Sequence, residues 1–357
     1  MSRVVLSGYY GFDNLGDEAV LTATVAALRQ RRPGIEIAVL SRSPHATARA
    51  LGVEGVSRAR PGDLVRTLKG CDLFLSGGGS LFQDATSWRS PWYYLGVLGL
   101  ARRLSRRTAV YAQGIGPLRG RAVRTAARRV LNGVDLITLR DPESLAALIS
   151  LGVDRPPTVV AGDPALLLAP EASPRVLAER SQWGDGNHFG LALRSWRNDS
   201  WGEAVSAAAR AVAERHGARW ICLPMHWPGD LDVAERVAAQ IGPSAHVVRT
   251  RASPGEMLAL VGHLRLLVGV RLHALIFAAT QGVPFVALTY DPKVTGFARE
   301  LGEPLLDLAD LTAEPLTRLI DAAIADLGAR RARLLAAVAP LRARARLAPD
   351  LMAGLLS

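Results

Sequence analysis

Alternation of strand-like and helix-like segments is the feature that most restricts the fold of this 357-residue chain. The series starts with the apolar run RVVLSG at residues 3–8, followed by an amphipathic helical pattern at residues 17–32. Further apolar runs follow, with helical patterns between most of them: IEIAVLS, CDLFLSG, RTAVYAQG, LITLR and TVVAGD. Such alternation predicts a parallel sheet with helices on both faces.

The alternation stops and restarts once. Polar and turn residues gather at residues 169–188, and the apolar runs then continue with FGLALRS, ARWICLPM, HVVRT, LRLLVGV and VPFVALTY. We therefore predict an α/β protein with two doubly wound, Rossmann-like domains facing across a cleft. The predicted segments are an N-terminal domain 1–168, a linker 169–188, a C-terminal domain 189–313, and helices 314–357 that complete the second domain or cross back to the first.

Composition and the N-terminal sequence predict a cytoplasmic protein. The chain is 49% hydrophobic, and its two cysteines lie in apolar runs without metal or redox spacing. They are expected to be core residues of a protein in a reducing compartment. The N-terminus has no long apolar signal segment. The longest apolar stretch, residues 92–101, is shorter than the roughly 20 residues that cross a bilayer.

Arginine dominates the net charge of +11 and clusters at residues 101–107, 119–129 and 329–346. These clusters either form solvated helix faces or contact an anionic partner. No nucleic-acid motif is present and the aromatic residues do not interleave with the basic runs, so we expect no nucleic-acid partner. An acidic lipid surface or a phosphorylated substrate stays open. Arg342, Arg344 and Arg346 of the last cluster are predicted to face an anionic inner-membrane surface.

An arginine and a histidine interrupt the most apolar stretch of the chain, LLVGVRLHALIFAATQGVPFVAL at residues 266–288. The strand should end at Val270, and the next helix should end before Gly282. Arg271 and His273 then lie in the strand–helix turn, where backbone N–H groups and the helix dipole favour an anion. The guanidinium can clamp a phosphate or carboxylate, and the histidine can transfer a proton. The alternative is an arginine that reaches solvent and a histidine that caps the helix.

Other polar residues of the second domain also follow predicted strands. Arg194 comes after FGLAL, His226 after ARWICLPM, and Lys293 after VPFVALTY. Ligands of open α/β sheets bind at the carboxyl ends of strands, so these side chains are candidates for substrate binding. Each of them alone is also compatible with a purely structural role.

In the first domain, the glycine-rich segment GYYGFDNLGDEAVL at residues 8–21 is not a dinucleotide fingerprint. Asn14 and Asp17 in it either bind substrate or cap the following helix. Gly77, Gly78 and Gly79 follow the next strand and could form an amide-lined nest for an anion or for sugar hydroxyls. No metal-ligand spacing and no nucleophile elbow occur, so we expect neither a metal nor an organic cofactor.

Two further candidates lie at strand ends of the same domain. Gln113 is predicted at the tip of RTAVYAQ, and Arg140 ends the run LITLR before an Asp-Pro helix start. Arg140, Arg194 and Arg271 would together form a cationic set suited to an acidic ligand.

These motifs, in this order, resemble the polysaccharide pyruvyl transferase family, and specifically its bacterial CsaB-type branch. The resemblance covers roughly residues 5–300 and is carried by GYYGFDNLGDEAVL, SGGGSLFQD, YAQGIGP, LRDPES, GDPA, LRSW, PMHWPGDLD, VRLHALIFA and YDPKV. It implies a GT-B-like fold, with the N-terminal domain on the acceptor side and the C-terminal domain on the donor side.

The resemblance also implies the reaction. Phosphoenolpyruvate would donate a pyruvyl group that becomes a ketal on a sugar, with Arg271 and His273 in the donor site and Arg140 and Lys293 at further active-site positions. The implied acceptor is a lipid-diphosphate-linked disaccharide with N-acetylmannosamine, a precursor of the secondary cell-wall polymer that anchors the S-layer. Two alternatives remain open at this point: a GT-B glycosyltransferase that uses a nucleotide-sugar, and a two-domain binding protein without catalysis.

Overall fold

The computed structural model describes residues 2–84, 87–195 and 201–356, and the chain forms two compact units. The first unit comprises Met1–Phe12, Asp17–Leu168 and Leu341–Ser357, and the second comprises Asp13–Gly16 and Ala169–Pro340. Each unit is therefore assembled from separate pieces of chain. The sequence pattern predicts residues 13–16 in the first domain, whereas they belong to the second unit.

A parallel sheet forms the centre of the first unit. Its strands are β1 (Arg3–Ser7), β2 (Glu36–Ser41), β3 (Glu54–Ser57), β4 (Leu73–Ser76), β5 (Gly79–Phe82), β6 (Arg107–Ile115), β7 (Leu136–Leu139) and β8 (Thr158–Val160). Their spatial order is β3-β2-β1-β4-β6-β7-β8, and β5 pairs with β6. Six helices belong to the described part of this chain segment: α1 (Leu15–Arg31), α2 (Pro44–Leu51), α3 (Pro61–Lys69), α4 (Arg89–Leu104), α5 (Arg121–Leu131) and α6 (Pro142–Ser150).

The sheet is apolar on both faces, as the sequence requires of a buried parallel sheet. Successive side chains of a strand point to opposite faces. Val5 therefore packs into the core that contains Phe74, whereas Val4 and Leu6 pack into the core on the other face with Val39.

The second unit has the doubly wound strand order in its purest form. Its strands are β9 (Asn187–Ala192), β10 (Ala218–Cys222), β11 (Ala245–Val247), β12 (Leu266–Gly269), β13 (Phe285–Thr289) and β14 (Leu305–Asp307), in the order β11-β10-β9-β12-β13-β14. The helices are α7 (Pro174–Ser181), α8 (Trp201–His216), α9 (Leu231–Ile241), α10 (Pro254–Val261), α11 (Leu272–Gln281), α12 (Pro292–Leu301), α13 (Ala313–Ala325) and α14 (Leu327–Ala345), which α15 (Leu347–Gly354) follows.

This strand order defines one topological switch point in each sheet, which is the position between two adjacent strands where the strand order reverses. Ser7 of β1 lies beside Ser76 of β4, and Ala192 of β9 lies beside Gly269 of β12. Crevices outside the carboxyl ends of such strand pairs are where doubly wound sheets bind ligands. A ligand site is therefore expected at the turns that follow β1, β4, β9 and β12.

The predicted α/β class with two Rossmann-like domains is confirmed by the two parallel sheets. Three short strands, Glu54–Ser57, Gly79–Phe82 and Leu305–Asp307, have no counterpart in the prediction. The segment 169–188, predicted as a linker, contains helix α7. The Ser173 hydroxyl caps this helix by accepting from the Val176 N–H, and the indole of Trp183 after it is fully buried.

The C-terminal residues Leu341–Ser357 belong to the first unit. Ala348 and Met352 are buried in its core, and Arg342 donates from Nε to the Leu166 carbonyl oxygen at 3.0 Å. Arg342 is thus a structural residue rather than a purely solvent-facing one. In the described parts of the chain, no helix combines the length and the apolar character that a membrane crossing requires.

Candidate functional site

The turn that follows β12 holds Arg271 against a buried carboxylate. Arg271 precedes α11, and its Nε donates to Asp230 Oδ2 at 2.9 Å while its Nη2 donates to Asp230 Oδ1. Asp230 is 2% exposed and also accepts the Met225 N–H at 3.2 Å. Two parallel charge-assisted hydrogen bonds of this kind fix the plane of the guanidinium.

Helix α11 begins and ends where the apolar pattern predicts. Gly282 adopts a left-handed conformation with φ of 66°, and its N–H caps the carbonyl oxygens of Ala278 and Ala279. His273 lies in the first turn, and its ring is adjacent to Gly16: a Cβ at Gly16 would lie 2.1 Å from His273 Nδ1. The absence of a side chain at position 16 is therefore what gives the imidazole its place.

The segment Asp13–Gly16 is held to the loop that follows β10. The Leu15 N–H donates to the Met225 carbonyl oxygen at 2.9 Å, and the Trp227 N–H donates to the Asp13 carbonyl oxygen at 3.0 Å. Asn14 and His226 form an isolated antiparallel bridge between these hydrogen bonds.

Asn14 also acts locally, since its Oδ1 accepts the Gly16 N–H at 3.1 Å. It is thus the residue that shapes the start of α1, which begins at Leu15. The predicted site residues Asn14, His226 and His273 belong to the same unit.

A phenol joins two arginines at the same edge of the second sheet. Tyr290 follows β13, and the guanidinium carbon of Arg194 lies 5.7 Å from the centre of its ring. Burial raises the pKa of Tyr290 above its usual 10.0, while the positive charges of Arg194 and Arg271 act against this rise. The ends of β9, β12 and β13 therefore bring these three side chains into one electrostatic environment.

Lys293 lies in the first turn of α12. Its Nζ is 3.1 Å from Asp291 Oδ2, and its side chain is 38% exposed. Asp291 caps the helix by accepting the Lys293 N–H at 3.1 Å. The lysine is consequently half-exposed at the edge where Tyr290 lies, with a local carboxylate beside it.

The glycine turn of the first unit has a steric explanation. A Cβ at Gly77 would lie 2.1 Å from Tyr10 Oη, and one at Gly78 would lie 2.7 Å from Val20 Cγ1. Gly79 has φ of 109°, and Asp17 Oδ1 would lie 2.8 Å from its Cβ. Three glycines are needed because a tyrosine, a helix and a carboxylate all approach this turn closely. Ligand binding by the turn and by Asp17 stays a prediction.

Gln113 stabilises the glycine turn at residues 77–79 through its side-chain amide. It is fully buried in β6 rather than exposed at a strand tip, and its Nε2 donates to the carbonyl oxygens of Gly79 at 3.0 Å and Gly114 at 3.2 Å. Just before it, Ala112 has φ of 43°, and the register between β6 and β7 shifts between Val110 and Gln113. The irregularity lies next to the position where Gly79 pairs with Gln113.

Arg140 is likewise tied into the first unit. Its side chain is 5% exposed, with Nε 3.0 Å from Asp141 Oδ2 and Nη1 3.7 Å from Asp163 Oδ2. Its Nη2 donates to Ser80 Oγ at 3.0 Å. Two carboxylates thus balance its charge, and its predicted contact with substrate stays a prediction.

The structure therefore groups the predicted residues by unit. The second unit contains Arg194, Arg271, His273, Lys293, His226 and Asn14. The first unit contains Asp17, the three glycines, Gln113 and Arg140.

The sequence analysis does not predict Tyr290 or the partner role of Asp230. The signal that could have identified Tyr290 is its position as a tyrosine at the end of a predicted strand. Trp196 of the LRSW motif lies outside the described residues. Within residues 2–84, 87–195 and 201–356, no three His, Cys, Asp or Glu side chains are grouped for a metal ion.

Comparison with known proteins adds a family and a fold. A family model for polysaccharide pyruvyl transferase matches residues 14–292. Among solved structures, HepE from Anabaena in complex with UDP-glucose has a TM-score of 0.66 at 14% identity, covering 99% of this chain and 98% of that chain.

Two other solved structures are similar over nearly their whole length. UDP-GlcNAc 2-epimerase from Neisseria meningitidis bound to UDP-GlcNAc has a TM-score of 0.64 at 11% identity, covering 100% of this chain and 99% of that one. A glycosyltransferase from Rickettsia africae has a TM-score of 0.63 at 10% identity, covering 99% of this chain and 96% of that chain. At these identities the likeness shows the fold alone, which is GT-B-like with two Rossmann-like domains.

Proposed function

Since the chain belongs to the polysaccharide pyruvyl transferase family, we propose that it transfers a pyruvyl group from phosphoenolpyruvate to a cell-wall glycan as a ketal. The observation that supports the donor most directly is the cationic set at the carboxyl edge of the second sheet. Phosphoenolpyruvate carries a phosphate and a carboxylate, and Arg194, Arg271 and Lys293 can neutralise them.

Arg271 would contribute one edge of its guanidinium. Asp230 takes Nε and Nη2, so an incoming anion would meet the terminal edge that includes Nη1. The anion would then lie before the N-terminus of α11, where the helix dipole favours negative charge. Because Asp230 holds the guanidinium plane, little orientation entropy is lost on binding.

His273 is the residue we assign to proton transfer. Protonation of the methylene carbon of phosphoenolpyruvate produces a methyl group and an oxocarbenium-like C2, which one sugar hydroxyl attacks as it loses its proton. The C2–O bond to phosphate then breaks, phosphate departs with a proton, and a second hydroxyl of the same sugar loses its proton and closes the ketal. An imidazole can serve as acid or as base in these steps.

For the acceptor we propose a lipid-diphosphate-linked disaccharide whose N-acetylmannosamine carries the ketal, as in CsaB-type pyruvylation of the polymer that anchors an S-layer. In this proposal the glycine turn at 77–79, Asp17, Gln113 and Arg140 belong to the acceptor side. No metal or organic cofactor takes part, and the enzyme acts in the cytoplasm.

The decisive experiment is to incubate the purified protein with phosphoenolpyruvate and a synthetic lipid-linked disaccharide. Mass spectrometry should show a product heavier by one ketal-linked pyruvate, and phosphate release should match it one to one. A folded wild-type protein that releases no phosphate with this or related N-acetylmannosaminyl acceptors would contradict the proposal.

The second candidate is a GT-B glycosyltransferase that uses a nucleotide-sugar, which the UDP-sugar complexes of HepE and the Neisseria epimerase favour. Calorimetric titration with phosphoenolpyruvate and with UDP-GlcNAc separates the two. Saturable binding of UDP-GlcNAc together with no binding of phosphoenolpyruvate would support the glycosyltransferase.

A further inference from the structure

Helices α4 and α5 of the first unit form a groove whose floor is apolar and whose rim is basic. Its volume is about 1140 Å³, and Leu95, Leu100 and Val130 line it. Gly96 and Gly99 of α4 line it as well, and a Cβ at Gly96 would meet no atom within 4 Å. The two glycines therefore leave the groove open along one side of α4.

Five arginines surround this groove. The groove is lined by Arg102, Arg103, Arg128, Arg129 and Arg155, and by one acidic residue, Asp154. Across the residues that the structure describes, none of these five guanidinium groups forms an ion pair, whereas Arg271 and Arg140 are each paired with carboxylates. Like charges gathered this closely repel one another, so an anionic partner would lower their free energy.

The exposed side of α4 continues from the groove toward two tryptophans. Trp88, Trp92, Gly96, Gly99 and Arg103 follow one another at helical spacing and therefore share a face of α4. Trp88 is 68% exposed and Trp92 is 44% exposed, which is unusual for so large an apolar side chain. This face extends about 22 Å along the helix, from aromatic to basic.

We propose that this face, consisting of Trp88, Trp92 and the five groove arginines, docks on the surface of an anionic phospholipid bilayer. The arginines contact lipid phosphates, the apolar groove floor receives the upper part of an acyl chain, and the tryptophans lie in the interfacial layer that tryptophan prefers. A soluble polyanion would make use of the arginines alone. The combination of exposed tryptophans, an apolar floor and arginines that form no ion pair within the described residues is what favours a bilayer.

The proposal does not depend on the proposed reaction, because binding is measured without substrates. The full chain is sedimented with vesicles of phosphatidylcholine, either pure or containing phosphatidylglycerol, at two salt concentrations. We expect binding only to the anionic vesicles and weaker binding at high salt, because exposed charges are screened. Tryptophan emission should shift to shorter wavelength on binding, and Trp88→Ser with Trp92→Ser should abolish the shift.

Two matched triple variants test the location. Arg103→Gln, Arg129→Gln and Arg155→Gln should lower vesicle partitioning by roughly 100-fold, because an arginine near an anionic surface contributes about fivefold. Arg49→Gln, Arg299→Gln and Arg318→Gln remove the same charge from exposed positions outside the basic clusters and should leave vesicle partitioning within about threefold of wild type. Equal losses in both triples, equal binding to neutral vesicles, or no binding by the wild type would each overturn the proposal.

Discussion

Asp230 holds Arg271 by two parallel hydrogen bonds, although 41 residues separate them in the chain. Both are largely buried, with side-chain exposures of 2% for Asp230 and 16% for Arg271. A buried ion pair adds little net stability over apolar residues of similar volume, but removing one partner is costly. The pair is thus best understood as the device that orients the arginine at the end of β12.

Asp230→Asn should lower the free energy of unfolding by about 2–4 kcal/mol, because an uncompensated guanidinium is left partly buried. Urea denaturation monitored by circular dichroism measures the change. Asp232→Asn is the matched control, because Asp232 is an exposed residue of α9, the helix that Asp230 directly precedes, and should change stability by less than about 0.5 kcal/mol. Equal effects of the two substitutions would show that Asp230 does not restrain a buried charge.

Arg271→Lys retains the positive charge but loses the planar fork. We expect KM for phosphoenolpyruvate to rise by about tenfold or more, because a charge-assisted hydrogen bond contributes roughly 1.5–3 kcal/mol. Steady-state phosphate release measures it. A lysine variant with wild-type KM and kcat would place the anion away from Arg271.

His273→Ala should lower kcat by about 10²–10⁴, the usual contribution of a general acid or base. His45→Ala, at an exposed position of α2, is the control and should be fully active. The fold is checked by thermal unfolding. A well-folded His273→Ala protein with wild-type kcat would remove the imidazole from the mechanism.

Gly16→Ala should reproduce part of this loss without touching His273 chemically, because the new methyl group would lie 2.1 Å from Nδ1 and displace the ring. Stability should fall as well, because forcing the ring aside costs about 1–3 kcal/mol, which outweighs the roughly 1 kcal/mol by which alanine is the better helix former. Gly328→Ala in α14, where a Cβ meets no atom within 4 Å, is the matched control for kinetics. If both glycine variants keep wild-type kcat, the position of the ring is not important for turnover.

Glu303 should make stability depend on pH. Burial raises the pKa of its carboxyl from 4.5 to about 7, against the opposing effects of the Phe285 N–H and the Arg330 and Arg333 charges. The native state therefore binds more protons than the unfolded state between about pH 4.5 and 7, so this group lowers the free energy of unfolding as pH rises through that window.

We expect wild type to lose on the order of 2 kcal/mol relative to Glu303→Gln between pH 5 and 8. Urea denaturation of both proteins across this range measures the difference. Parallel stability curves for the two would contradict the raised pKa.

The sequence alone was sufficient for α11 and its neighbours. An apolar run between two strands, closed by a glycine, predicts the helix, the position of Arg271 before it and the cap at Gly282, because all three depend on local patterns. Apolar patterns do not predict the short strand Glu54–Ser57, because only one of its residues, Val56, is buried.

Local sequence patterns do not predict hydrogen-bond partners that are distant in the chain. Nothing near Arg271 points to Asp230, and nothing near Gln113 shows that its amide is used by the Gly79 carbonyl rather than by a ligand. The run of three glycines at 77–79 predicts a ligand nest, whereas the close approach of Tyr10, Val20 and Asp17 already requires glycine at these positions. A sequence shows which residue types are available for a site. Tertiary contacts decide which of these side chains already have hydrogen-bond or packing partners within the protein.

The four residues Asp13–Gly16 have a consequence for how such a protein can be divided or recombined. They lie in the first twentieth of the chain, yet Leu15 donates to the Met225 carbonyl oxygen and Asp13 accepts the Trp227 N–H. A gene fragment that encodes residues 169–340 would lack the partner strand of that loop and the glycine that accommodates His273. Exchanging the second unit between homologues at a single crossover near residue 168 would therefore join a histidine from one parent to a glycine loop from the other. A chimera that takes both pieces of the second unit from one parent needs four crossovers, after residues 12, 16, 168 and 340.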